Sequence, residues 1–301
     1  MIIHLPKNIS CTQVQELANN IGALCLEQAK QFVLITNHMT KQLPTDLKDI
    51  ALQHWIFASD MQLSSRQYSA ETHRITLGDT YIGGDQKNQL MIAGPCAVES
   101  REQIEQSCQM LQQQGIRILR AGCYKPRTSP YTFRGLGEDG LKLLAEMREK
   151  YGLLIATEMR DATHADKVIE YADIIQIGAK SMYDHGLLAA AGKSGKPVIL
   201  KRGFGTTLQE FVNCADFIMS CGNDQVILCE RGIRSFETNT RFTLDLCGVA
   251  WLKEHCNLPI IIDPSHAMGY AYGIGDLARA CTAMGVDGLL IETHPNPTCA
   301  Q

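Results

Sequence analysis

Three residues with metal-ligand chemistry, Cys96, His266 and Glu292, each follow closely on a short apolar run. A thiolate, an imidazole and a carboxylate together suit a divalent transition metal such as Mn²⁺, Fe²⁺, Zn²⁺ or Co²⁺. Taken singly, each is more often a buried thiol, a hydrogen-bonded histidine or a solvated glutamate. Only a fold that joins the three run ends makes them a ligand set. A second cluster, Lys125-Pro126-Arg127-Thr128-Ser129-Pro130, places two cations and two hydroxyls between prolines. Proline fixes its own φ and restricts the residue before it, so this loop is stiff. Arginine offers a planar fork to phosphate oxygens, and the hydroxyls add donors. Arg120, Lys180, Lys201, Arg231 and Arg234 extend the positive charge, although the formal net charge of the chain is −4. So many cations in a net-acidic protein call for anionic ligands, and two phosphate-bearing substrates would supply them.

The elements that must position these residues are legible as eight apolar runs: Leu90–Ala93, Ile116–Arg120, Leu153–Thr157, Ile174–Ile177, Val198–Leu200, Val226–Cys229, Pro259–Ile262 and Gly288–Ile291. Helix-length segments such as Gly140–Lys150 and Asp245–His255 lie between them. Strands alternating with helices predict a parallel sheet, either an open doubly wound sheet or a closed (β/α)₈ barrel. The run ends decide between the two. They lead in turn to Cys96, Arg120, Glu158, Lys180, Lys201 with Arg202, Glu230 with Arg231, Asp263 with His266, and Glu292. In a barrel all eight ends converge on one rim, whereas an open sheet would spread them along an edge. Closure also makes the seventh, eighth and first strands neighbours, which brings His266, Glu292 and Cys96 to one point.

The first 63 residues read differently. Strand candidates at Met1–Leu5, Ala23–Glu27, Phe32–Thr36 and Trp55–Phe57 alternate with a helix from an N-cap at Ser10 to about Ile21, and a second from Pro44 to about Gln53. That β-α-β-β-α-β order predicts a ferredoxin-like module. Residues 64–89 are polar and turn-rich, with Gly78, Gly83 and Gly84, and read as a linker with a hairpin capping the barrel of residues 90–301. Composition excludes several function classes. No basic stripe suggests nucleic acid, no run approaches a membrane span, and the N-terminus lacks the pattern of a signal peptide. Twelve cysteines without a C-x-x-C pair fit small buried side chains in a reducing cytoplasm. The G-x-G-x-x-G match at Gly135, Gly137 and Gly140 follows a polar loop rather than a buried strand, so it reads as a turn into a helix.

At these motifs the chain resembles the 3-deoxy-D-arabino-heptulosonate-7-phosphate (DAHP) synthase family, in its type Iβ-like subgroup with an N-terminal ferredoxin-like regulatory domain. The matching segments are IAGPCAVES from Ile92, LRAGCYKPRTSPYTFRGLGEDGL from Leu119, EYADIIQIGAK from Glu170, KPVILKRGF from Lys196, ILCERGIRSFE from Ile227, LPIIIDPSHAMG from Leu258 and ETHPNP from Glu292. The resemblance implies condensation of phosphoenolpyruvate with erythrose 4-phosphate, the first step of the shikimate route to chorismate and the aromatic amino acids. It implies phosphoenolpyruvate contacts at Arg120, Lys125, Lys180, Lys201 and Arg231, with Glu158 near the attacking water. Arg127, Thr128 and Ser129 would bind the aldose phosphate. Cys96, His266 and Glu292 would hold the metal, with Asp263 beside it. It further implies a cytoplasmic homo-oligomer, dimeric or tetrameric, inhibited by tyrosine or phenylalanine.

Three departures from the family pattern set further expectations. Lys180 stands where arginine is usual, keeping the charge but losing the fork. The stretch SMYDHGLL from Ser181 replaces an Asn- and Gln-rich loop. The chain ends at Gln301, about two residues before the place of a fourth, aspartate ligand and without a helix after the eighth strand. Leu289 and Ile291 are then expected to face outward without cover unless a partner chain supplies it. Two rival readings are 3-deoxy-D-manno-octulosonate-8-phosphate synthase, whose loop usually reads K-A-N-R-S, and a catalytically impaired amino-acid sensor.

Overall fold

The computed structural model describes residues 1–85, 89–125 and 131–301. The chain opens with β1 (Ile2–Pro6), α1 (Cys11–Asn20), β2 (Leu24–Glu27), β3 (Gln31–Ile35) and β4 (Gln53–Trp55). These strands form an antiparallel sheet in the order β2-β3-β1-β4, the ferredoxin-like arrangement. Alternation along β1 divides its side chains between two layers. Met1, Ile3 and Leu5 pack with Val14 and Ala18 of α1, and with Leu34 and Leu47. Ile2, Val33, Ile35, Phe57 and Leu63 face the other way and join the core of the large domain. Ser10 caps α1 in a reciprocal capping box with Gln13.

The second helix expected from Pro44 to Gln53 is only a single 3-10 turn, Thr45–Leu47. Leu52 must donate its amide to the carbonyl of His4 (2.8 Å), and Gln53 already pairs with His4 in the sheet. That pairing draws the chain into extended backbone at Leu52, so a helix cannot run on to Gln53.

A hairpin of β5 (Arg74–Leu77) and β6 (Thr80–Gly83) follows. Its Ile75, Leu77 and Ile82 are buried against the inner layer of the barrel, formed by Ile92, Ile118, Ala156, Ile174, Ile199, Ile227, Ile261 and Leu290. The barrel comprises β7 (Leu90–Gly94), β8 (Ile118–Arg120), β9 (Leu154–Met159), β10 (Ile174–Ile177), β11 (Val198–Lys201), β12 (Val226–Glu230), β13 (Ile260–Ile262) and β14 (Gly288–Glu292). All pairings are parallel, and β14 closes onto β7 from Gly288↔Leu90 to Glu292↔Gly94. Around it lie α2 (Arg101–Gln113), α3 (Glu138–Tyr151), α4 (Ala165–Tyr171), α5 (His185–Lys193), α6 (Leu208–Ser220) and α7 (Leu246–His255). The short α8 (Pro264–Met268) and then α9 (Ile274–Ala283) complete the layer. After β14 the described chain forms one 3-10 turn, Pro297–Cys299.

The outward side chains of β14 are not left bare as expected. Leu289 is 3% exposed within the core, and Ile291 is half-buried against it. Strand β14 packs against both α8 and α9, which supply cover that the strand-by-strand reading did not assign. All twelve cysteines are free.

Asp216 on α6 fastens the N-terminal segment to the barrel by accepting the backbone N–H groups of Gln62 (2.7 Å), Leu63 (3.2 Å) and Ser64 (2.9 Å). Burial pushes its carboxyl from 3.8 up to about 6, against the pull of those donors. An acid whose pKa rises on folding binds more protons in the fold than in the unfolded chain between these two values. Stability is therefore gained as pH falls through about 6 and is fully gained below 3.8. With solvent screening of its part-exposed side, the swing amounts to about 2 kcal/mol. Asp216→Asn removes the titration, so the stability advantage of the wild-type chain over this variant should be larger at pH 5 than at pH 8 in urea melts. An advantage that grows toward pH 8 would reverse the assigned sign.

Candidate active site and metal centre

Side chains that point into the barrel recur every second residue, and on seven of the eight strands the inward apolar residues lead to a polar one at the rim. Ile118 leads to Arg120, Ala156 to Glu158, Ile174 to Gln176, Ile199 to Lys201, Ile261 to Asp263 and Leu290 to Glu292. Ile227 and Cys229 lead to Arg231. The same alternation corrects one expectation. Arg202 and Glu230 are out of phase and leave the cavity to pair with each other at 2.9 Å, with Asp245 completing the buried group at 2.7 Å from Arg202.

The rim encloses a cavity of about 310 Å³ whose wall includes Cys96, Arg120, Lys125, Glu158, Lys180, Lys201, Arg231 and His266. Gln176 of β10 also lines it, as do Gly178, Phe204, Arg241 and Thr132, none of which was among the candidates read from the sequence. Arg234 lines an adjoining recess with Lys180 and Phe204. Arg127, Thr128 and Ser129 lie outside the described residues.

Most cations on the floor have a defined partner. Lys125 Nζ lies 3.3 Å from Glu158 Oε2, and both residues are buried. Lys201 Nζ donates to Asp263 Oδ2 at 2.7 Å. Arg120 donates to the carbonyl of Pro95 at 3.0 Å and stands 3.8 Å from Glu292. Arg231 reaches the carbonyls of Gly232 and His266 at 3.4 Å and lies over the stacked rings of Phe204 and Phe242. Two glycines make this packing achievable. A Cβ on Gly178 would stand 2.1 Å from Glu158 Oε1, and one on Gly94, at φ +147°, would stand 2.2 Å from the Arg120 carbonyl.

Cys96, His266 and Glu292 place their ligand atoms within 4.8 Å of one another, as the adjacency of the first, seventh and eighth strands requires. His266 and Glu292 are held from behind. Asp263 caps α8 by accepting the His266 amide (3.0 Å), and its Oδ2 sits 2.8 Å from His266 Nδ1. That turns Nε2 toward Glu292, 3.3 Å away. Ser265 Oγ accepts the Glu292 amide at 3.0 Å, tying β14 to α8. Burial alone would raise the Cys96 thiol, but hydrogen bonding to His266 and the charges of Lys125 and Arg120 bring it down to about 6. Asp263 is held well below the usual carboxylate range: burial opposes this, and His266 and Lys201 overcome it. A thiolate, an oriented imidazole and a carboxylate, with an acid behind the histidine, fit a divalent metal with room for a further ligand.

Fold and cavity together define a (β/α)₈-barrel enzyme with a cation-lined cavity at its rim. Residues 60–301 match the DAHP synthetase I family, and the chain belongs to that family. It is 47% identical over 236 residues to phospho-2-dehydro-3-deoxyheptonate aldolase of Thermotoga maritima, covering 78% of this chain and 69% of the relative. The crystal structure of a Thermotoga maritima protein of that name, also called DAHP synthase, superposes with a TM-score of 0.79 at 39% identity. That match covers 99% of this chain and 89% of the other. A 2-dehydro-3-deoxyphosphooctonate aldolase of Thiobacillus denitrificans is 32% identical over 231 residues, covering 70% of this chain and 80% of the relative. Among the described residues, no helix is long and apolar enough to cross a membrane.

Proposed function

We propose that this protein is a 3-deoxy-7-phosphoheptulonate synthase: it condenses phosphoenolpyruvate, erythrose 4-phosphate and water to DAHP and inorganic phosphate. The observation that carries this reading is the rim cavity in which Arg120, Lys125, Lys180, Lys201 and Arg231 stand beside the Cys96–His266–Glu292 trio. The higher identity to the heptonate relative favours the four-carbon aldose over a five-carbon one.

In the reaction, C3 of the enol forms a bond to C1 of the aldehyde, whose oxygen takes up a proton. Water adds at C2 and gives up its protons, and the C2–O bond to phosphate breaks to leave the ketone. Arg120, Lys125, Lys201, Lys180 and Arg231 bind the carboxylate and phosphate of the enol substrate and hold it at reacting distance. Glu158, fixed by Lys125 and confined by Gly178, faces the cavity where it can hold the attacking water. Arg127, Thr128 and Ser129 would take the aldose phosphate. A divalent metal on Cys96, His266 and Glu292 would supply Lewis acidity toward the aldehyde or the water. Asp263 keeps His266 Nε2 free for that role and neutralises Lys201.

A steady-state comparison of erythrose 4-phosphate with arabinose 5-phosphate tests the substrate assignment. The four-carbon aldose should give the higher kcat/KM; preference for the five-carbon aldose would move the protein to the octulosonate reaction. Gly178→Ala should lower kcat about 100-fold by displacing Glu158 on the order of 1 Å, with the circular dichroism spectrum retained. Unchanged kcat in that variant would show that Glu158 does not need this position. Feedback by tyrosine or phenylalanine through the N-terminal sheet, in a cytoplasmic oligomer, belongs to the same proposal. It predicts that one of these amino acids lowers the rate of the full chain.

A further inference from the structure

Arg241 is not at a strand end, yet it reaches the wall of the cavity. The chain leaves β12, and the bridge Ile233↔Thr243 closes its excursion. The returning segment is pinned across α8: Arg241 donates its amide to the Met268 carbonyl at 3.2 Å, and Phe242 to that of Ala267 at 2.8 Å. Gly269, at φ +79°, leaves the space; a Cβ there would stand 2.7 Å from Arg241 Cβ. The excursion thus holds Arg241 in place at the cavity mouth.

The surroundings of its guanidinium are cationic. Arg231 lines the same cavity. Both guanidiniums lie by the Phe242 ring, at 4.4 Å for Arg231 and 5.9 Å for Arg241. Lys180 lines the same cavity. Among the described residues, no carboxylate lies within 4.0 Å of the Arg241 guanidinium, whereas Lys125 and Lys201 each have one. A guanidinium on a cavity wall with no carboxylate in reach is stabilised when an anion enters beside it.

We propose that Arg241 is a further substrate-binding residue, placing its guanidinium on the phosphate of the enol substrate opposite Arg231 and Lys180. This rests on the reaction proposed above. A phosphate dianion has enough oxygens to accept from several cations at once, and the planar fork of arginine matches it. The excursion between β12 and α7 then acts as the wall that completes the phosphate site.

Steady-state kinetics of the full chain with its metal, on Arg241→Gln and Arg241→Lys, test this together with competition by inorganic phosphate. The glutamine variant should raise KM for phosphoenolpyruvate and Ki for inorganic phosphate about tenfold or more, the loss of one charge-assisted hydrogen bond. KM for the aldose should stay within about twofold, and the lysine variant should fall between, keeping charge without the fork. Unchanged KM for phosphoenolpyruvate in the glutamine variant would overturn the proposal, as would a rise confined to the aldose. Arg241 is exposed, so the variant is expected to fold, and matching thermal melts check this. A wild-type chain that fails to turn over the two substrates would instead defeat the reaction reading itself.

Discussion

Lys125→Met is expected to lower kcat/KM about a thousandfold or more, because it removes a substrate cation and strands a buried carboxylate in one step. Lys125 and Glu158 are both about nine-tenths or more enclosed and sit 3.3 Å apart. Without the ammonium, Glu158 is left as a buried carboxyl with no ion-pair partner to fix its position toward the attacking water. Lys125→Met/Glu158→Gln removes both charges. Its rate should be no lower than that of Lys125→Met by more than a small factor, because the two residues act as a unit. Independent, multiplying losses in the double variant would separate Lys125 from Glu158 and undo this part of the account.

Cys96→Ala is expected to weaken metal binding by more than about 100-fold, beyond the usual cost of losing an outer-shell partner, and to abolish turnover at substoichiometric metal. Cobalt gives a direct readout. The wild-type chain should show thiolate-to-cobalt charge-transfer absorption, and the alanine variant should lose it whatever the cobalt concentration. Asp263→Asn should keep that band and weaken binding about 10–100-fold, since it acts through the orientation of His266. A charge-transfer band that survives Cys96→Ala would mean that another of the twelve cysteines holds the ion.

The barrel was legible because its strands are short apolar runs whose ends carry ionisable groups, and closure alone explains how Cys96, His266 and Glu292 come within 4.8 Å. What a list of strand ends does not provide is phase. Arg202 and Glu230 are as close to the rim in sequence as Lys201 and Arg231, yet alternation turns them away from the cavity to meet each other. Gly178 shapes the position of Glu158 by having no side chain, so it leaves no chemical signal in the sequence. Arg241 arrives through an excursion between elements, where neither period 2 nor period 3.6 operates. In the N-terminal sheet the helix at Ser10 was readable from its N-cap, while the segment after Pro44 has helix-forming residues that are overruled by the pairing of Leu52 and Gln53 with β1. Cover for Leu289 was equally invisible strand by strand, because it comes from helices that precede β14 in the chain.

The most direct test follows phosphoenolpyruvate in a reaction holding the full chain, one divalent metal and erythrose 4-phosphate. Loss of the enol, release of inorganic phosphate and appearance of a seven-carbon keto acid phosphate should run at equal rates and stop when either the aldose or the metal is withheld. Phosphate released from phosphoenolpyruvate without the aldose, or no reaction with any divalent metal, would contradict the assignment of this cavity.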